Sequence, residues 1–84
     1  MGNTGIKDIE SRLIKQLCAI LLTEPAKIRS DEPLHKLGVD SLSFVELLVF
    51  IEKEFNIKLM ESGLNKEDFK TVHSLASSIQ RIKG

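Results

Sequence analysis

An aspartate and a serine lie between a predicted turn and a long helix that is predicted from its apolar pattern. They are Asp40 and Ser41 in the stretch Leu37-Gly38-Val39-Asp40-Ser41-Leu42. Gly38 permits the turn. Asp40 is suited to be the N-cap, because its carboxylate can accept a free backbone N–H of the first helical turn. Ser41 then occupies the first helical position, where the N–H groups and the helix dipole favour an anion. The local setting would therefore tolerate a phosphate attached to the Ser41 hydroxyl.

Catalysis by Ser41 itself is not predicted, because a serine nucleophile needs a positioned base and a group that orients the base. His35 is expected to be an ordinary exposed loop histidine, and His73 has no acidic or metal-ligand pattern around it. Cys18 is the only cysteine, so neither an internal disulfide nor a metal site is predicted. Glycine-rich phosphate-binding motifs are absent from the sequence. We therefore interpret Ser41 as the acceptor of a modification and the chain as not an enzyme.

The window 34–55 resembles the phosphopantetheine attachment site of acyl carrier proteins. The resemblance is carried by Leu37-Gly38-Val39, Asp40-Ser41-Leu42 and Val45-Glu46-Leu47. In that family the serine bears a 4′-phosphopantetheine arm through a phosphodiester, and acyl groups are attached to the terminal thiol of the arm as thioesters. The resemblance thus implies that Ser41 is the attachment residue, flanked by Asp40 and Leu42 at the cofactor site.

The same resemblance implies the partners and the pathway. A phosphopantetheinyl transferase (holo-ACP synthase) would load the arm from coenzyme A, and acyl-transferring and acyl-modifying enzymes of fatty-acid, lipid or polyketide pathways would use it. Three features depart from the usual pattern: the chain is neutral overall, Ser43 stands where an acid is common, and Lys53 interrupts an acidic run. They favour a specialised carrier over the housekeeping type.

The helix that must position Ser41 is predicted to span Ser41–Phe55, and it has two apolar faces. At about 100° per residue, one arc suits the core and a second arc lies more than about 90° away. The core arc holds Phe44, Leu47, Leu48, Ile51 and Phe55. The second arc holds Leu42, Val45 and Val49, and is flanked by Glu46 and Glu52. An apolar strip edged with acids predicts a docking face for partners. The alternative is that the strip packs on the long loop or on a neighbouring helix.

The rest of the chain predicts an all-α four-helix bundle, with three longer helices, one short helix and a long ordered loop between helices 1 and 2. Apolar residues at three- and four-residue spacing place the first helix at about 6–22 and the last helix after Thr71 as its cap. The long loop covers residues 23–39, with Ile28, Leu34 and Leu37 as apolar anchors. A turn is predicted at Gly63, and the short helix at 65–69 with Asn65 as its N-cap.

Length and composition fit a single carrier domain over residues 1–84. The chain has four aromatic residues, all Phe, which disfavours nucleic-acid modules that stack bases. Its apolar runs are too short to span a bilayer and its start lacks a signal-peptide layout, so we expect a cytoplasmic location. We also expect a monomer. Residues 30–62 carry three Lys and seven Asp or Glu, a net charge of −4, which favours an electropositive partner near Ser41.

Two alternatives to an acyl carrier remain open at this point. One is an aminoacyl or peptidyl carrier, although Asp40 before Ser41 favours the acyl class. The other is a cofactor-free helical adaptor that binds partners through Leu42, Val45 and Val49.

Overall fold

The structure is a computed structural model, and it describes residues 5–59 and 66–83. Within these ranges the chain is all-helical, with three α-helices joined by loops and short 3-10 turns and with no β-strand. The helices are α1 (Ile6–Leu21), α2 (Ser41–Phe55) and α3 (Val72–Lys83). α2 matches its predicted bounds, and α1 ends one residue before its predicted end.

The core forms where the apolar stripes of the three helices meet. α1 packs against both α2 and α3. Each helix contributes side chains at helical spacing, since a stripe of that period faces one side. The most deeply buried are Ile9, Leu13 and Leu17 of α1, Leu47 and Ile51 of α2, and Val72, Leu75, Ala76 and Ile79 of α3.

Polar contacts fix how α1 lies against its neighbours. Arg12 pairs with Asp8 one turn away, as the spacing predicts, at 3.3 Å, and also with Glu54 of α2 at 3.0 Å. Its guanidinium lies 5.8 Å from the centre of the Phe55 ring.

His73 of α3 contacts an acid that the sequence does not reveal. Its Nδ1 lies 2.7 Å from Oε2 of Glu10 on α1. The two residues are 63 positions apart, so helix periodicity around His73 gave no sign of the pair. The contact joins α3 to α1.

The long loop, residues 23–39, is ordered and fastened to the start of α3. It contains two 3-10 turns, Pro25–Lys27 and Leu34–Leu37. Of its three predicted anchors, Ile28 and Leu34 are buried, and Leu37 is partly buried against the core. The Leu34 N–H donates to the Lys70 carbonyl at 2.9 Å, and the His73 N–H donates to the Ser30 carbonyl at 2.9 Å. The loop is therefore bonded to the start of α3 and the residue before Thr71 at two points.

The segment before α3 forms a 3-10 turn, Lys66–Phe69, at the place where the sequence predicts a short helix. The predicted cap Asn65 and the predicted turn at Gly63 lie outside the described residues. Thr71 caps α3 as predicted, because its Oγ1 accepts the Ser74 N–H at 3.0 Å. Within the described ranges, no helix combines the length and the apolar character that crossing a bilayer would need.

Candidate functional site

The turn before α2 determines where Ser41 lies. Gly38 has φ +100°, a left-handed conformation that glycine adopts without the steric cost of a side chain. Its N–H donates to the His35 carbonyl at 3.3 Å, and the next N–H, that of Val39, donates to the Leu34 carbonyl at 3.2 Å. These bonds close the turn, and the chain then enters α2 through an extended Asp40.

Asp40 is the N-cap of α2, as predicted. Its Oδ1 accepts the Ser43 N–H at 2.8 Å, and its carbonyl accepts the Phe44 N–H at 2.8 Å. The hydrogen bond from the Ser43 N–H, with a second from the Ser43 side chain, lowers the pKa of the Asp40 carboxyl below its ordinary 3.8. Asp40 is therefore an anion at neutral pH, directly beside Ser41.

Ser41 is exposed at the first position of α2. Among the described residues no side chain forms a hydrogen bond with its hydroxyl, so no base is positioned to activate it. Both features fit a hydroxyl that another protein modifies, because the oxygen is reachable and a negative group there meets the positive end of the helix dipole.

A shallow groove of about 470 Å³ opens beside Ser41; we call it the Ser41 groove. Its walls come from the end of the long loop, from the first turn of α2 and from the segment before α3. They are formed by Leu34, His35, Val39, Asp40, Ser41, Phe44, Phe69 and Lys70. Phe44 and Phe69 meet edge to face, with ring centres 5.5 Å apart. The groove thus combines apolar residues with His35 and Lys70 at the position of the candidate attachment residue.

The side chains that sequence reasoning missed are those of Phe69 and Lys70, which approach Ser41 from nearly 30 positions away. His35 is exposed as expected, but it also lines the Ser41 groove. The contact depends on the pairing of the long loop with the start of α3, including an isolated antiparallel bridge between Pro33 and Thr71. A single isolated bridge has no periodic pattern, so the sequence offers no signal for it.

The second apolar arc of α2 lies on the surface. Leu42 is 70% exposed, Val45 54% and Val49 45%; we call these three residues the apolar strip. Glu46, within the same stretch of helix, is exposed as well. The alternative in which the strip packs on the long loop or on another helix is therefore wrong.

Glu52 lies differently from the other predicted docking residues. It is half-buried, and its Oε2 accepts the Leu59 N–H at 3.2 Å. Leu59 is itself buried, so this carboxylate holds the segment that follows α2 against the core. The helical pattern alone could not show this bond, because it depends on the path of residues 56–59.

Comparison with known proteins finds a matching family and several relatives. Residues 11–79 match the family described as "Phosphopantetheine attachment site". A D-alanyl carrier protein of Streptococcus equi subsp. zooepidemicus is 39% identical over 64 residues, which are 75% of this chain and 81% of that protein. A D-alanyl carrier protein of Streptococcus uberis is 32% identical over 76 residues, 89% of this chain and 95% of that protein.

A larger protein shows a similar stretch. The non-reducing polyketide synthase pkdA of Emericella nidulans is 39% identical over 72 residues, which are 86% of this chain but only 3% of the synthase. No solved structure matches the chain. The family match covers more than half of the chain, and this family consists of carriers that bear covalently attached 4′-phosphopantetheine and are not themselves catalysts. The chain belongs to the phosphopantetheine-binding carrier family.

Proposed function

We propose that Ser41 is the residue that accepts the 4′-phosphopantetheine arm. The observation that supports this most directly is the exposed hydroxyl at the start of α2, inside the region that matches the family. In the transfer, the Ser41 oxygen forms a bond to the β-phosphorus of coenzyme A. The pyrophosphate linkage breaks, 3′,5′-adenosine bisphosphate leaves, and a base of the transferase takes the hydroxyl proton.

The bound arm supplies a thiol on which cargo travels as a thioester, and the chain itself contributes position and recognition. A tethered thiol has a high effective concentration at any enzyme that docks the carrier. Asp40 fixes the first turn of α2, so the attachment oxygen keeps its place when a partner binds. Membership of the family removes the need for the cofactor-free adaptor as an explanation of the apolar strip.

The apolar strip and Glu46 form the docking face of this proposal. Exposed Leu42, Val45 and Val49 begin one residue after Ser41, so a partner seated on them also reaches the attachment oxygen. The matching surface on a partner would be apolar and edged with Lys or Arg. Glu52 contributes to this face indirectly, by holding the segment after α2.

The cargo belongs to one of two classes. An acyl cargo is our first proposal, in a dedicated rather than a bulk fatty-acid pathway, since the chain has no net charge and resembles a domain of a polyketide synthase. An aminoacyl cargo is the second, because the relatives described above that match this chain in length are D-alanyl carrier proteins. The proposal also includes a short fourth helix completing a four-helix bundle, and a monomer in the cytoplasm.

The attachment residue is tested by intact mass after incubation with coenzyme A and a broad-specificity phosphopantetheinyl transferase. The wild-type chain should gain one phosphopantetheine unit, and Ser41→Ala should gain none while keeping its helical circular-dichroism spectrum. Ser43→Ala is the matched control, since it removes a hydroxyl two residues away and should still be loaded. Loading of Ser41→Ala would overturn the proposal.

The docking face is tested by the initial rate of the same loading reaction. Val49→Lys places a cation where we expect a basic partner to dock, so the rate at limiting carrier concentration should fall while the melting temperature stays the same. Leu22→Lys is the control, because Leu22 is also an exposed apolar residue but lies outside α2. Equal rates for the two variants would contradict the assignment of the strip.

The cargo class is tested on the loaded chain with ATP and two activating enzymes in parallel. A D-alanine-activating ligase would add alanine to an aminoacyl carrier, and an acyl-carrier synthetase would add a fatty acyl group to an acyl carrier. Intact mass distinguishes the two products. Hydroxylamine should release either cargo, because both are thioesters.

A further inference from the structure

Modification of Ser41 would bring two negative charges together at the Ser41 groove. Asp40 is ionised at neutral pH, because its pKa is lowered by the Ser43 hydrogen bonds. A phosphodiester on Ser41 would place a second negative charge next to the first. Like charges in contact disfavour one another unless a cation lies nearby.

The groove brings such a cation to this place. Lys70 lines it, and among the described residues the Lys70 side chain has no hydrogen bond or ion pair with another group. His35 lines the same groove, and it too lacks a side-chain partner within the described ranges. A lysine side chain with no other partner in the same groove can turn toward a phosphate without first breaking another bond.

The remaining walls suit the part of the arm that follows the phosphate. That part carries a geminal dimethyl group, which is apolar and branched. Phe44 and Phe69 provide ring surface to pack against it, with Leu34 and Val39 beside them.

The wall that carries Lys70 is held in place before any arm is attached. The Lys70 carbonyl accepts the Leu34 N–H at 2.9 Å, which joins two walls of the groove. Asp68, two residues earlier, accepts bonds from Ser78 at 2.9 Å and from Arg81 at 2.9 Å, both on α3. A groove with fixed walls lowers the entropic cost of holding a flexible group.

From this arrangement we infer that the Ser41 groove holds the phosphate and dimethyl portion of the attached arm, with Lys70 as the cation that pairs with the phosphodiester. This inference rests on Ser41 being the attachment residue. It makes Lys70 and Phe69 binding residues for the cofactor and leaves only the thiol end of the arm extended into solvent.

Nuclear magnetic resonance on the apo and loaded chain tests the inference, with intact mass confirming complete loading first. Loading should shift the amide signals of Phe69 and Lys70, and the arm's two methyl signals should move upfield through the ring currents of Phe44 and Phe69. In Lys70→Gln these methyl signals should return toward those of free phosphopantetheine. Lys36→Gln is the matched control, because Lys36 is an exposed lysine of the long loop that does not line the groove.

Each outcome has a separate meaning. If the wild-type chain is not loaded at Ser41, the proposed function fails rather than the groove. If it is loaded but amide shifts stay within residues 40–43 and the methyl signals match the free compound, the groove inference is overturned. If Lys70→Gln keeps the wild-type methyl shifts, or Lys36→Gln loses them equally, the role of Lys70 is overturned.

Discussion

At the scale of single residues, the cap of α2 gives the chain a pH-dependent feature. The Asp40 carboxylate accepts the Ser43 N–H, and this bond lowers the Asp40 pKa below 3.8. A lowered folded-state pKa means that the stabilisation is fully present above pH 3.8 and is lost as the pH falls through the lowered value.

Asp40→Asn isolates this effect, because the amide oxygen can still cap the helix but does not titrate. We expect the wild type to melt at or above the temperature of the variant at pH 7. Below the lowered pKa, the melting temperature of the wild type should fall relative to that of the variant. Thermal unfolding by circular dichroism between pH 7 and acid checks this, and a difference that does not change with pH would contradict it.

A second prediction concerns the residues that end α1 and α2. Both Leu22 and Asn56 adopt the left-handed conformation, with φ of 55° and 54°. In this conformation the Cβ of any L-residue crowds the following carbonyl oxygen, and asparagine offsets the cost because its short polar side chain can hydrogen-bond locally, which leucine cannot do. Leu22 is also 90% exposed, so its side chain contributes little burial.

Leu22→Asn should therefore stabilise the chain by about 0.5–1 kcal/mol, and Asn56→Leu should destabilise it by a similar amount. Urea unfolding measures both. Opposite signs for the two changes are the expected signature. If Leu22→Asn destabilises the chain, backbone strain at Leu22 does not determine the change in the free energy of unfolding.

The positions of Asp40 as N-cap and Ser41 as first helical residue were predictable, because both depend only on neighbouring residues in the sequence. Lys70 and Phe69 were not predictable, because they reach Ser41 only through the pairing of the long loop with the start of α3. Glu52 was assigned to the docking face from its place on the helix and from the family resemblance, whereas its bond to the Leu59 N–H depends on the path of the chain after α2.

At the scale of elements, α2 has one apolar face in the core and a second apolar face at the surface. Leu47 and Ile51 are fully buried, while Val45 and Val49 remain about half exposed. The periodicity of the sequence predicted both arcs. It could not decide whether the second arc was covered, because that depends on the path of the neighbouring segments.

The two faces should respond differently to the same truncation. Ile51→Ala removes packed core atoms and should cost about 2–5 kcal/mol, whereas Val49→Ala should change stability by less than about 0.5 kcal/mol. Urea unfolding monitored by circular dichroism gives both values. If Ile51→Ala does not fold, Ile51→Val should still show a loss of about 0.5–1.5 kcal/mol.

At the scale of the whole molecule, the long loop behaves as part of the fold. The sequence predicted its anchors Ile28 and Leu34, which are buried, but not its hydrogen bonds to the start of α3. The bounds of α1 and α2 followed from periodicity, because each helix must face one core. The pairing of the loop with residues about 40 positions away could not be predicted in this way, because it leaves no periodic pattern in the sequence.

Amide hydrogen exchange tests this view of the loop. The Leu34 N–H, which donates to Lys70, and the His73 N–H, which donates to Ser30, should exchange as slowly as amides within the helices. The amide of Arg29, for which the structure gives no such bond in this part of the chain, should exchange fast. Fast exchange at Leu34 and His73 together would show that the loop opens independently of the helices.

The division of α2 into a buried and an exposed face has a consequence for how such a chain can diverge. On the docking face proposed above, substitutions in Leu42, Val45 and Val49 change what a partner encounters while the packed side of the helix stays intact. A duplicated copy could thus acquire a new set of enzymes through a few surface changes, with no loss of folding to compensate. For an engineer, the proposed docking face makes the same three positions the ones to change in redirecting this carrier to another pathway.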